Sequence, residues 1–352
     1  MNVAIAGAGI AGGYLAGLLE QRGISPDVYD GRDHATRCTC RSCGWGVPMA
    51  ITTYLADVGL DLNDYLIEPM SPMDFDGLAA KTPLCTIDKP RLLRDFAGAS
   101  GLKRQNLRPE TAEDYDIVVD ATGIRRALLP PCRSDLTLPT LQHRVTAESI
   151  GGERLGAGVS GNRIPGLGYL WIFPVGNDQY HIGIGGLNLI RQDRLLEQLY
   201  RDFSGRFSFT LHCSCHDTIR VASPHYSTPF FVRKTRMDGT PQLIIGVGES
   251  IGTVSPFTGE GIVHSLECAR ILADTWPNPE DYTRTVLVRF AWMKKERKTL
   301  DYLLSPEGRS GPRLQDRWRF FRSSRRPGIR LPMLEAFSRM GSLSRWLETP
   351  EI

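Results

Sequence analysis

"NVAIAGAGIAGGYLAGLLEQRG", residues 2–23, decides the fold. NVAIAG (2–7) is a short apolar run that ends at a glycine. GAGIAG (7–12) follows, and then GYLAGLLEQRG (13–23), a helix-like stretch closed by Gly23. PDVYD (26–30) reads as a second strand. Strand, glycine turn, helix, strand is the order of a dinucleotide-binding unit. Gly7, Gly9 and Gly12 permit a tight turn and let the backbone approach a pyrophosphate. Ile10 and Ala11 open a helix whose unpaired N–H groups and positive dipole end suit that anion. Asp30 stands 18 residues after Gly12, at the end of the second strand, where a carboxylate can take two ribose hydroxyls; Gly31 and Arg32 follow it.

Two further strands end in the same way. EDYDIVVDATG (113–123) carries an apolar strand into Asp120, Ala121, Thr122 and Gly123. QLIIGVGESIGTVSPFTGEGIVHSLECARILAD (242–274) carries another to Gly248 and Glu249. A loop with Pro256, Gly259 and Gly261 follows, and then a helix from Ile262. Three such ends on one parallel sheet would meet along one edge, where a long dinucleotide can lie.

Between them the pattern changes. From about residue 140 to 235, short runs alternate with turns: HRVTAES, YLWIFPVG, QYHIGIGG, FSFTLHC and TIRVAS. GNDQ, between Pro174 and Tyr180, is a hairpin signal. These runs predict an antiparallel sheet inserted into the nucleotide-binding part. The expected class is α/β, with a Rossmann-like domain over 1–139, the inserted sheet over 140–240, the rest of the nucleotide domain over 241–276, and a basic helical segment over 277–352. In YLWIFP (169–174), Tyr169, Trp171 and Phe173 share one strand face. That face fits either ordinary core packing or a wall shaped for a flat or greasy ligand.

The chain has 352 residues, 41% of them hydrophobic and 23% charged, which suits a soluble globular protein of one large or two interleaved domains. No apolar run reaches the roughly 18 residues that span a bilayer. The N-terminal stretch lacks a basic n-region, so it reads as a folded strand and turn and the expected location is cytoplasmic. Eight cysteines without a signal read as thiols. CTCRSC (38–43) and CSC (213–215) are clustered and could together form a zinc or iron–sulfur site, but neither has a CxxC pair with a matching second pair, and no metal is expected. Net charge is +3, unevenly spread: nine arginines lie between 313 and 345, with aromatic residues among them. That segment fits either a solvated helical face or a surface that seeks phosphate groups.

Taken together, these residues resemble the flavin-dependent geranylgeranyl reductase family, a branch of the FAD enzymes that include aromatic hydroxylases and flavin halogenases. GAGIAG with Asp30 looks like the adenosine-end motif, DIVVDATG like the second FAD strand, and GVGES…SPFTGEGI like the riboflavin-end motif. IDKPRLL (87–93) is similar to the family's Asp-Arg segment, with Lys89 where arginine is usual; Glu249 stands where aspartate is usual. Two matches are narrower. YLWIFP matches the reductases' Tyr-x-Trp-x-Phe-Pro wall motif, through Tyr169, Trp171, Phe173 and Pro174. Cys38-x4-Cys43-Gly44 is similar to a Cys-Gly element near the flavin; the additional Cys40 has no counterpart.

The resemblance covers roughly residues 1–275. It implies FAD as cofactor, a prenyl-lipid substrate in an aromatic slot, and saturation of its C=C bonds by hydride from reduced flavin. It makes Cys43 the candidate catalytic or gating residue, with a buried inert thiol as the alternative. His181 and His264 read as structural. No second nucleotide turn is evident, so the electron donor is expected to be a docking protein or a small reduced carrier. The basic segment is expected to hold the enzyme peripherally on an anionic membrane. The competing readings are an FAD monooxygenase and, more remotely, a nucleic-acid-binding protein; no nucleic acid partner is expected.

Overall fold

The computed structural model describes residues 1–31, 43–70, 73–75, 78–79, 82–98, 101–132, 134–160, 167–187 and 191–309. Three sheets organise it. The first has six strands: β1 (Val3–Ala6), β2 (Asp27–Tyr29), β8 (Leu102–Lys103), β9 (Ile117–Asp120), β15 (Phe231–Thr235) and β16 (Pro241–Gly246), in the order β15-β16-β9-β1-β2-β8. All neighbours run parallel except the edge hairpin β15–β16. β1 and β9 are buried at every residue, as expected for strands covered on both faces. Helices α1 (Ile10–Glu20), α3 (Lys89–Gly98) and α6 (Ile262–Asp274) supply Leu15, Leu19, Phe96, Leu266 and Leu272 to this core.

The second sheet has seven strands, ordered β14-β10-β13-β12-β11-β5-β6. They are β5 (Asp74–Phe75), β6 (Leu78–Ala79), β10 (Thr137–Ser149), β11 (Gly158–Ser160), β12 (Leu167–Pro174), β13 (Gln179–Leu187) and β14 (Phe207–Arg220). The β12–β13 turn places Gly176 at φ 82° and Asn177 and Asp178 both at φ 53°, left-handed positions that glycine, asparagine and aspartate tolerate. One face of this sheet packs on α5 (Gln192–Phe203): Leu170 and Ile172 of β12 join Leu196 and Leu199 in a separate core. The alternation of β12 therefore sends Tyr169, Trp171 and Phe173 to the opposite face.

The two runs FSFTLHC and TIRVAS are a single strand, β14, with a register shift opposite Arg144/Val145. β14 is an edge strand, so its polar centre CSCHD meets solvent and needs no apolar period. A third, small sheet joins β3 (Gly46–Pro48), β7 (Leu84–Ile87) and β4 (Leu66–Pro69). The remaining helices are α2 (Ile51–Asp57), α4 (Pro109–Ala112), α7 (Pro279–Arg289), α8 (Ala291–Leu304) and α9 (Pro306–Arg309). Among the described residues no helix is long and apolar enough to cross a membrane. Arg32, Cys38, Cys40 and the basic segment 313–346 lie outside the described residues.

Candidate functional site

Strand register aligns the three glycine-ended strands. Gly246 pairs with Asp120, Asp120 with Ala6, and Ala6 with Tyr29. The next residues, Val247-Gly248, Ala121, Gly7 and Asp30, thus form one row on the carboxyl edge of the sheet. The chain crosses from β1 to β2 and β8 on one side, then returns to β9 on the other. The row lies at that switch point, where open α/β sheets bind ligands.

The glycines there are dictated by contact. Gly7 has φ +108°, and a Cβ on it would lie 2.4 Å from the Ala121 carbonyl oxygen. A Cβ on Gly12 would lie 1.9 Å from the Gly7 carbonyl oxygen, so only glycine lets α1 close on the turn. Gly9 is the N-cap of α1 and Gly261 the N-cap of α6; neither helix start has a side-chain cap or an acidic first turn. Asp30 is buried, and its Oδ2 accepts from the Ala8 N–H at 3.0 Å. Gly31 follows, packed on Asn106.

Asp120 organises the second loop. Its carboxylate accepts from Thr122 N–H and Oγ1 and from Leu128 and Leu129 N–H. The Thr122 hydroxyl is engaged within this loop, since it also accepts from Ala127 N–H at 2.9 Å. Gly123, at φ +66°, faces the Glu249 carboxylate. Burial pushes the Glu249 carboxyl up, while the Arg220 N–H, at 2.9 Å from Oε1, and the Arg220 charge pull it down. Lys89, at the start of α3, adds its charge to both Glu249 and His181.

Two buried arginines that no motif signals hold these loops. Arg220 donates to Asp135 at 2.9 Å, to the Ile124 carbonyl at 2.8 Å and to the Glu249 carbonyl at 3.2 Å. Arg126 donates to the carbonyls of Ser250 (2.5 Å), Pro229 (2.6 Å) and Pro130 (2.6 Å).

The aromatic row of β12 lies between two loops. Phe173 lies against Gly44 and Gly46, where an added Cβ would stand 2.3 Å and 2.9 Å from its ring. The Trp171 indole covers Gly183, and its Nε1 donates to Gln142 Oε1 at 3.1 Å. Gln142 is fully buried and its amide reaches the Cys43 carbonyl at 3.5 Å. Tyr169 donates its hydroxyl to the Thr258 carbonyl, beside Gly259. The Pro174 carbonyl accepts from Thr86 Oγ1 at 2.8 Å. The row therefore runs from the Cys43–Gly46 segment to the Pro256–Gly261 loop. Gln142, which no motif signals, joins the aromatic row to the cysteine loop.

Cys43 is half-buried. Trp45, two residues on, holds φ 62°, a strained backbone for a bulky residue, with its indole 4.4 Å from the His181 ring. Burial and then the Arg144 charge push the His181 imidazole down to about 3, against a pull from the Gly44 backbone, so it is neutral at ordinary pH. His264 Nε2 lies 3.7 Å from the Glu260 carboxylate, and its ring meets Trp292 edge-on. Among the described residues no group of three His, Cys, Asp or Glu could hold a metal ion.

No family model matches the chain. An uncharacterised protein of Methanocaldococcus jannaschii is 21% identical over 85% of this chain and 91% of its own length. Digeranylgeranylglycerophospholipid reductase 1 of Methanopyrus kandleri is 25% identical over 56% of this chain. Digeranylgeranylglycerophospholipid reductase 2 of Methanothermobacter thermautotrophicus is 29% identical over 40%. These two matches span 50% and 35% of the reductases' own lengths. Among solved structures, a geranylgeranyl bacteriochlorophyll reductase-like protein of Thermoplasma acidophilum superposes at TM-score 0.69, with 14% identity and 98% of both chains covered. A probable FAD-dependent monooxygenase of Pseudomonas aeruginosa gives 0.54 with 17% identity, covering 92% of this chain and 99% of its own.

The chain thus has the fold of the FAD-dependent oxidoreductases. In sequence it is similar, at 25–29% identity over part of its length, to digeranylgeranylglycerophospholipid reductases. FAD fits the carboxyl edge. Asp30 would hold the adenosine ribose, and the α1 N-terminus from Gly9 the pyrophosphate. Ala121–Gly123, Gly248, Glu249 and the glycine-capped α6 N-terminus would line the riboflavin end.

Proposed function

We propose that the protein is an FAD-dependent reductase that saturates C=C bonds in geranylgeranyl or related polyprenyl chains of lipids. The observation that carries this reading is the row Tyr169, Trp171 and Phe173, set between the Cys43–Gly46 segment and the Pro256–Gly261 loop. Apolar burial of an isoprenoid chain contributes about 0.8 kcal/mol per CH2, so an aromatic slot suffices for affinity. FAD held by Asp30, the α1 N-terminus and the Gly248–Glu249 turn would supply hydride chemistry when reduced. Tyr169, Trp171 and Phe173 orient the chain and exclude water, Gln142 fixes the indole relative to the Cys43 carbonyl, and the Cys43 thiol holds a proton for the alkene. Electrons come from a docking protein or a small reduced carrier, and the basic segment 313–346 holds the enzyme at an anionic lipid surface.

The test is anaerobic incubation of lipid extracts with protein, FAD and dithionite, read by mass spectrometry. Stepwise gains of two mass units support the reading. A product carrying added oxygen under air, with no saturated product without air, overturns it in favour of a monooxygenase.

A further inference from the structure

We propose that Glu296 and Ser255 are positioning residues that couple the aromatic wall to FAD, an inference that rests on the FAD reading above. Glu296 is fully buried on α8. A carboxylate taken out of water is retained only where hydrogen bonds compensate it. Here Oε2 accepts from the Ser255 hydroxyl at 2.8 Å. The same hydroxyl accepts from the Thr258 N–H at 3.2 Å. The Thr258 carbonyl, at the other end of that residue, accepts from the Tyr169 hydroxyl.

One relay therefore runs from α8, through the loop that leads to the α6 N-terminus, to the wall. The loop closes on itself as well, through Ser255 N–H to the Glu260 carbonyl and Gly259 N–H to the Ser255 carbonyl, both at 3.0 Å. α8 is a firm anchor. The next residue, Arg297, is buried and donates to the carbonyls of Ser134 (3.1 Å) and Ala222 (3.2 Å). Gly261, the α6 N-cap, ends the loop, so the loop's position sets where that helix N-terminus points. Tyr169 pulls on the loop from one side and Glu296 from the other. A change at the wall is then felt at the FAD site without contact between them.

FAD titration of the apoprotein, read by flavin fluorescence, tests this, with apoprotein melting measured alongside. Ser255→Ala and Tyr169→Phe each remove one bond of the relay and should each weaken FAD binding about fivefold, the worth of one net hydrogen bond. The double variant should weaken it well under the 25-fold product of two independent losses. Glu296→Gln keeps an acceptor oxygen and should bind FAD within about twofold of wild type, whereas Glu296→Leu should not. Wild-type affinity in both single variants, or a full product in the double, overturns the coupling. Equal losses in Glu296→Gln and Glu296→Leu overturn the hydrogen-bond account. A merely structural role would lower the melting temperature in step with affinity. A wild-type apoprotein that takes up no FAD overturns the FAD reading itself, and this inference with it.

Discussion

Gly183→Ala should dislodge Trp171 from the wall. Gly183 sits on β13, opposite Trp171 in the strand register. A Cβ built there lies 2.1 Å from indole Cζ2, 2.3 Å from Cε2 and 2.8 Å from Nε1. Carbon atoms in contact sit at about 3.5–4.0 Å, so the ring must move by about 1.4 Å or more. A rigid bicyclic ring does not bend away, and the indole is only 5% exposed, so neighbours must shift too. Overpacking of this kind costs about 1–3 kcal/mol. Movement also breaks the 3.1 Å bond to Gln142, and a buried acceptor left alone costs about 1–3 kcal/mol. The expected destabilisation is about 2–6 kcal/mol.

The comparison is Gly185→Ala, where the new methyl meets Leu138 Cδ2, the end of a side chain that can turn, at 2.8 Å and Thr140 Cγ2 at 3.0 Å, an overlap of only a few tenths of an ångström. Its cost should be about 1 kcal/mol. Trp171→Ala alone should cost about 3–5 kcal/mol. In the double variant Gly183→Ala/Trp171→Ala the clash is gone, so its destabilisation should equal that of Trp171→Ala rather than the sum. Urea unfolding measures the energies and near-ultraviolet dichroism reports the indole. Gly183→Ala within about 0.5 kcal/mol of wild type, with an unchanged indole signal, would refute the packing argument.

Purified protein should be yellow and release FAD with acid; a colourless protein that takes up no FAD would sink both enzyme readings. Cys43→Ser should keep FAD content and melting temperature yet slow reoxidation of reduced flavin by a prenyl substrate. An unchanged rate in stopped flow returns Cys43 to a packing role. The native His181 imidazole titrates at about 3, against roughly 6.5 unfolded. Between those values the unfolded chain binds a proton that the native state refuses, so stability should fall as pH drops from about 6.5 toward 3, by up to about 1.4 kcal/mol per unit. Burial lowers His143 and His225 in the same direction. Denaturant melts across that range should flatten in His181→Gln; an identical acid limb would refute the assignment. Sedimentation with vesicles should show binding to anionic but not neutral lipid, since nine arginines each contribute about 1 kcal/mol near such a surface; equal binding to both would remove the electrostatic argument.

The nucleotide turn was legible in the sequence because its causes are local. A left-handed Gly7, a glycine where α1 meets the turn and an acid ending the next strand are demands that a few adjacent residues meet alone. The aromatic face of β12 was legible for the same reason, since alternation is a property of one strand. What lies opposite that face was not. Trp171 finds Gln142 29 residues away, Ser255 finds Glu296 41 away, and Arg126 finds Ser250 124 away. A residue type states that a buried polar group needs a partner, and only the tertiary fold chooses which one. Nor did the run CSCHD announce β14, because an edge strand with a wet centre has no apolar period. Residue chemistry therefore determined the nucleotide turn and the aromatic face of β12. Packing alone decided how the aromatic row, the cysteine loop and α8 are joined.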